Sequence, residues 1–316
     1  MKTVCIIGGS GFIGAHLVYR LANAGHLLRV PTRRRERHRE LTVQTQVRLI
    51  GADVHDPGQL DRLIEGSDCV VNLVGILNET GKATFERAHV ELTGRILEVM
   101  RRQGVRRLLH MSALNADPAI KHGQYLRTKG QAETLVFSAA GLQATVFRPS
   151  VVFGPGDSFF NRFAGLLRLT PGIFPLACAE TRFAPVYVGD VVAAFERALE
   201  DEATIGKRYE LCGPGVYTLR ELVAFTARQL GLRRMIVGLP DFAARLQAHV
   251  LGALPGKPFS MDNYHSLQRD SVCTAPAWAA FGIEPRSIED IVPTYLAGGD
   301  RNARYQALRR VARRGN

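Results

Sequence analysis

No apolar run in this sequence approaches the roughly 20 residues that a membrane-spanning helix needs. The opening residues Met1-Lys2-Thr3 lead into a strand-like segment with no signal-peptide apolar region. Both absences predict a cytoplasmic chain, or one peripheral to the inner membrane. Cysteine is scarce: the five, at positions 5, 69, 178, 212 and 273, are odd in number, far apart and without a C-x-x-C pair. Neither a disulfide framework nor a zinc or other metal site is suggested, and the thiols are expected to be reduced and mostly buried. There is no internal repeat, and no low-complexity segment beyond an arginine-rich end. Acids are outnumbered, with 29 Asp and Glu against 41 Lys and Arg, a net charge of +12. No helix-turn-helix, zinc-finger or aromatic stacking pattern accompanies that excess, so no nucleic-acid partner is expected. What remains is an ordinary globule, 46% hydrophobic with mean hydropathy near zero, whose 316 residues suffice for one large or two modest domains.

The most informative segment is Gly8-Gly9-Ser10-Gly11-Phe12-Ile13-Gly14, which follows the apolar run Val4-Cys5-Ile6-Ile7. A β-branched run is the usual first strand of a parallel sheet, buried on both faces. Residues 12–23 read as a helix that Gly25 stops. Strand, glycine turn and helix start coincide, which is what a dinucleotide's pyrophosphate requires: tight turning, close backbone approach, and unpaired N–H groups at the helix end. On the glycines alone, a plain β-turn-α competes with cofactor binding. The next strand, residues 27–32, lacks the acid that reads the ribose hydroxyls in NAD-binding versions and is followed by Arg33, Arg34 and Arg35. A guanidinium there can fork onto a 2′-phosphate, so NADP(H) is favoured over NAD(H). The alternatives for residues 33–39 are a solvated loop or a nucleic-acid patch.

The alternation continues, with strands at 47–50, 68–74, 106–112 and 142–147 and helices at 57–65, 84–103 and 124–139. Six strands with intervening helices predict the α/β class, a doubly wound parallel (Rossmann) sheet, in a domain over residues 1–152 that segments of the second half help complete. Ligands bind beyond the carboxyl ends of such strands. That adds Asp53, Val54, Leu73, Val74, Gly75, Pro149 and Ser150 to the cofactor residues Gly8, Ser10, Gly11, Phe12, Ile13, Gly14, Arg33 and Arg34. Residues 153–316 are punctuated by Gly and Pro and read as a smaller α+β part covering the substrate. Within it, residues 241–254 form an amphipathic helix whose stripe (Phe242, Leu246, Val250, Leu251, Leu254) is read first as core, and otherwise as a lid or membrane-facing surface. The basic tail, from 301 to 314, fits an anionic membrane, an acidic protein partner or a merely solvated end.

Tyr125-Leu126-Arg127-Thr128-Lys129 puts a tyrosine and a lysine on one face of the helix after the fifth strand, and Ser112 ends that strand. At this point the chain resembles the short-chain dehydrogenase/reductase superfamily, whose Y-x-x-x-K pair acts with a Ser or Thr on a bound nicotinamide. The resemblance implies Tyr125 as acid or base. Lys129 would bind the nicotinamide ribose and lower the phenol pKa from about 10, and Ser112 would polarise the reacting carbonyl or alcohol. In the alternative, Tyr125 and Lys129 only hold the ribose. Arg148-Pro149-Ser150-Val151-Val152-Phe153-Gly154-Pro155-Gly156-Asp157, Pro185-Val186-Tyr187-Val188-Gly189-Asp190-Val191 and Tyr209-Glu210-Leu211-Cys212-Gly213-Pro214 resemble blocks of the extended branch of epimerases and dehydratases. Closer still, His110-Met111-Ser112-Ala113-Leu114-Asn115-Ala116 with the Tyr125 block resembles the atypical branch that contains the NADPH-binding accessory subunit of respiratory complex I and its stand-alone bacterial relatives. For that subunit the resemblance implies a bound NADPH in a structural role.

The departures are specific. Leu114 stands where epimerase-type members carry the catalytic Ser or Thr, no Asp-Glu pair lies in residues 113–117, and His89 takes the place of a structural asparagine. Dehydration is disfavoured. Three functions stay open: an oxidoreductase acting on an apolar carbonyl or quinone, a non-catalytic NADPH-binding structural or assembly module, and a sugar-nucleotide epimerase. The last needs a polar pocket within residues 155–260, which instead offer Phe159, Phe160, Phe163, Leu166 and Leu167, residues equally open to a core reading.

Overall fold

The structure, a computed structural model, describes residues 1–81, 83–254 and 259–296. The predicted basic tail therefore lies outside the described residues. The first half alternates strand and helix, except that only a 3-10 stretch (Arg35–Val43) separates β2 from β3: β1 (Thr3–Ile7), α1 (Phe12–Asn23), β2 (Leu27–Thr32), β3 (Val47–Gly51), α2 (Pro57–Ile64), β4 (Cys69–Asn72), α3 (Leu92–Gln103), β5 (Arg107–Met111), α4 (Gln124–Ser138) and β6 (Gln143–Pro149). The helix expected at 84–103 opens on a π turn, Glu86–Glu91, before α3 begins. β1 pairs in parallel with both β2 and β4, with Val4 opposite Leu28 on one side and Cys69 on the other. Alternate residues of β1 serve opposite cores. Val4 and Ile6 pack with Leu17, Val18 and Leu21 of α1, while Cys5 and Ile7 pack with Leu60 and Ile64 of α2 and Ile96 and Met100 of α3. Burial on both faces accounts for the unbroken apolar run of a central parallel strand.

The second half adds β7 (Val152–Phe153), α5 (Phe159–Leu169), β8 (Ile173–Leu176), β9 (Arg182–Phe183), β10 (Val186–Tyr187), α6 (Val188–Glu200), β11 (Arg208–Leu211), β12 (Tyr217–Thr218), α7 (Leu219–Gln229), β13 (Met235–Gly238), α8 (Asp241–Ala253), α9 (Met261–Ser266), α10 (Trp278–Phe281) and α11 (Ile288–Leu296). The main sheet has seven strands, one more than expected, in the order β11-β6-β5-β4-β1-β2-β3. All its pairs are parallel. The chain moves outward from β1 through β2 to β3 and returns to β4 on the other side, so the crevice at the carboxyl ends of β1 and β4 is the switch point where such sheets bind ligands. The remaining strands form short pairs, β7 with β10, β9 with β12 and β8 with β13.

Two expectations are corrected. Cys212 and Cys273, read as thiols, form a disulfide. Cys212 follows the unpredicted β11, which places it beside the segment around Ser271 that bridges to Phe183, and a separation of 61 positions hides that proximity in the sequence. Cys5 and Cys69 are buried thiols as expected. The stripe on α8 is not core: Ala244 and Ala248 face inward, while Phe242, Leu246, Val250 and Leu254 are exposed.

Candidate functional site

The glycine turn closes on itself. Gly8 takes φ +88, and its carbonyl accepts the Gly11 N–H at 3.0 Å. A Cβ on Gly14 would run into the Gly8 carbonyl oxygen, so that helix position admits only glycine. No side chain caps α1 and no acid stands in its first turn. The first N–H groups and the positive end of the helix dipole are thus left for an anion. This cradle fits a pyrophosphate.

Lys129, on α4, is buried. Its Nζ donates to the carbonyl oxygens of Met111 at 3.0 Å and Val74 at 3.3 Å, tying the ends of β4 and β5 together. Gly75 makes room for it, since a Cβ there would lie 3.2 Å from Nζ. Burial pulls the Lys129 pKa down to about 8, against the opposing charge of Glu133. His89 sits in the π turn, a feature common at functional sites. Its Nε2 accepts the Ile76 N–H at 3.2 Å, which leaves Nδ1–H to donate to Thr128 Oγ1 at 2.8 Å, and the Thr128 hydroxyl in turn donates to the Gln124 carbonyl. Burial, with help from Lys129, pushes the His89 pKa down to about 2, so it serves as a neutral bracket between the β4 loop and α4.

Tyr125 is half-buried in edge-on contact with His89 and Phe85. Its phenol pKa is raised to about 12, by burial first and then by the Asp262 carboxylate. The lowering expected from Lys129 is therefore not present in this arrangement. Asp262, from α9, accepts the backbone N–H groups of Gln124 and Tyr125 and caps α4, which has no cap of its own. Ser112 Oγ is buried without a hydrogen-bond partner.

Ser112, Tyr125 and Lys129 line one cavity of about 590 Å³, together with Gly8, Gly11, Phe12, Ile13, Gly14, Leu73, Gly75, Pro149 and Ser150. Its far wall is mostly apolar, built from Phe159, Phe163 and Leu166 of α5, Phe174 and Leu176 of β8, and Leu251 of α8, with Arg162 of α5 and Gln247 of α8 as polar members. Phe160 and Leu167 point the other way into the core. Spacing along α5 separates the two sets, with 159, 163 and 166 on one face and 160, 164 and 167 on the other. Ser10 and Val74 are not in the lining, although the Val74 carbonyl holds Lys129. Ser150 spends its hydroxyl on Ser271, donating to the carbonyl at 2.7 Å. Leu114 packs on Ala184 and Cys212, away from the cavity.

Arg33, Arg34, Asp53 and Val54 stand apart, beyond β2 and β3. Arg33 and Arg34 are exposed, Asp53 Oδ1 accepts the His55 N–H at 3.0 Å, and Val54 packs on the α2 side of the sheet. His55 went unremarked in the sequence. Its pKa is lowered by burial and then by Arg87, with Arg95 and Arg33 contributing, which marks a positive region at this end of the crevice. Among the described residues no group of His, Cys, Asp and Glu could hold a metal, and no helix is long and apolar enough to cross a membrane.

The sequence pattern of the NAD dependent epimerase/dehydratase family matches residues 4–212. The NADH-ubiquinone oxidoreductase 40 kDa subunit of Neurospora crassa mitochondria is 30% identical over 309 residues, covering 96% of this chain and 81% of its own. The ceramide reductase of Caulobacter vibrioides is 29% identical over 251 residues, 75% of this chain and 74% of its own. Among solved structures, MoeE5 in complex with UDP-glucose and NAD superposes with a TM-score of 0.74 at 20% identity, covering 95% of this chain and 99% of that one. That likeness shows the fold.

Proposed function

The chain belongs to the NAD dependent epimerase/dehydratase family, and from that premise we propose that it is an NADP(H)-dependent reductase of a carbonyl carried on a long apolar substrate. The observation that carries this reading is the unpartnered Ser112 Oγ beside Tyr125 and Lys129, on the floor of a cavity whose far wall is mostly apolar. The glycine turn and the uncapped end of α1 would hold the pyrophosphate, and Arg33 and Arg34 the 2′-phosphate. When bound, the nicotinamide supplies the hydride. Ser112 donates to the carbonyl oxygen and polarises it. Tyr125 transfers its proton to that oxygen as it becomes an alcohol. Lys129, with two N–H bonds given to carbonyl oxygens, retains a third for the ribose, and its charge stabilises the phenolate left behind. The name of the Caulobacter vibrioides relative, ceramide reductase, supports a lipid as the substrate class.

The test is loss of NADPH absorbance on adding long-chain keto lipids, with UDP-sugars as the comparison. Tyr125→Phe is expected to lower kcat by about 10² to 10⁴. Slow oxidation that needs no substrate and is indifferent to Tyr125→Phe would refute the reductase. It would favour the second reading, a cofactor-binding structural module, which the raised Tyr125 pKa and the Neurospora crassa subunit support. Epimerisation is the weakest of the three, with Leu114 off the cavity and a lining that is mostly apolar.

A further inference from the structure

An amphipathic helix of a water-soluble fold turns its large apolar residues inward. α8 is inverted, presenting Phe242 at 75% exposure, Leu246 at 63% and Val250 at 56% to the outside while two alanines face the body. The surface continues onto the β8–β13 ribbon. Ile173 is paired with Met235 and Pro175 with Val237, and all four are exposed while Phe174 and Leu176 turn inward. Gln247 of α8 donates to the Pro175 carbonyl at 3.3 Å, joining helix and ribbon. At the far end, Met235 also lines a hollow of about 490 Å³ with Arg228, Arg233 and Arg234. Among the described residues none of these three arginines is paired with a carboxylate.

We propose that this face docks on an anionic lipid bilayer, with Phe242, Leu246 and Val250 in the interfacial layer and the arginine hollow on lipid phosphates. Two observations select the bilayer. Apolar residues bordered by arginines that have no carboxylate partner among the described residues complement an anionic headgroup layer. The inner sides of the same elements, through Phe174, Leu176 and Leu251, form the wall of the central cavity, so the covered face and the apolar chamber are separated by one layer of structure. Docking does not depend on turnover, so its failure and the failure of the reductase reading are separately visible.

The experiment is flotation of the full chain with vesicles of phosphatidylcholine alone or with about one quarter phosphatidylglycerol. Flotation only with the anionic vesicles is expected. The triple variant Phe242→Ser, Leu246→Ser, Val250→Ser should lose roughly a hundredfold in partitioning, with an unchanged unfolding midpoint and NADPH affinity. Arg228→Gln with Arg233→Gln should lose about tenfold. The proposal is overturned if the chain does not float, or if the triple variant floats as well as the native chain, because basic charge elsewhere then suffices. It is also overturned if the native chain is a dimer that the triple variant dissociates, which assigns the face to a second copy.

Discussion

Glu133→Gln tests the electrostatics beneath the site. Glu133 is 2% exposed, one turn beyond Lys129 on α4. It accepts from Arg148 Nε at 2.8 Å and Nη2 at 2.6 Å, and from Arg208 Nε at 3.0 Å. At an effective dielectric near 20, each such contact is worth about 5 kcal/mol gross. Removing one partner of a buried pair typically costs about 3–5 kcal/mol. Arg148 is half-buried and Arg208 exposed, so both regain water when the carboxylate is neutralised, and the expected loss is nearer 2–3 kcal/mol, read by urea unfolding. A second effect reaches the cofactor. Lys129 already sits at about 8 with Glu133 supporting its charge, and without that support it falls by roughly one further unit. The ammonium is present below its pKa and lost above it. The native chain should therefore lose NADPH affinity as pH rises through about 8, and the variant about one unit earlier. Titrations should converge near pH 6, where both are protonated, and differ several-fold near pH 8. Parallel pH profiles, or a stability loss well under 1 kcal/mol, would refute the coupling.

Arg33→Ala with Arg34→Ala should weaken NADP about 10²- to 10⁴-fold and leave NAD unchanged, since each charged bond to a 2′-phosphate contributes about 1.5–3 kcal/mol and two are removed; an equal loss for both cofactors, measured by fluorescence titration, would remove these arginines from the 2′-phosphate. Cys212→Ser or Cys273→Ser opens a loop closed across a separation of 61 residues, which by chain entropy lowers stability by about 4 kcal/mol. Each variant should be insensitive to dithiothreitol, whereas the native chain should drop to the variants' unfolding midpoint on reduction. A native midpoint unmoved by reduction would show that the disulfide contributes nothing.

The first half of the fold was legible because its signals are local. The run Val4-Cys5-Ile6-Ile7, the Gly25 stop and the apolar spacing of α3 each depend on a dozen residues or fewer, and they gave α1 and β2 to the residue. β11 was missed because four residues, half of them polar (Arg208 and Glu210), carry no strand pattern until β6 pairs with them. The same limit hid the disulfide that follows β11. Tyr125, Lys129 and Ser112 were found by spacing and by strand ends. His89 was noted only as a replacement for a structural asparagine and Asp262 not at all, since their roles rest on neighbours 39 and 137 positions away. α8 misled for a different reason. Periodicity locates an apolar stripe, but which way the stripe points is decided by what packs beneath it, and Ala244 and Ala248 give the body a closer fit than Phe242 or Leu246 could.

The contacts that the sequence concealed share a location: they join the C-terminal part to the floor of the site. Asp262 caps α4, Asn263 donates to the Leu77 carbonyl, and Ser271 engages Ser150. Gly123, the residue before α4, has φ +106 and offers no side-chain cap, so the helix that carries Tyr125 and Lys129 draws its N-terminal anchor from the covering part. The anchoring carboxylate also raises the Tyr125 pKa. One residue of α9 therefore anchors the helix that carries the phenol and adds to the burial that makes it less acidic. α9 and α8 pack together through Tyr264, Ala244 and Ala248, and α8 carries the outward apolar face. The covering part thus anchors the helix that carries Tyr125 and Lys129 and also forms a wall of the cavity.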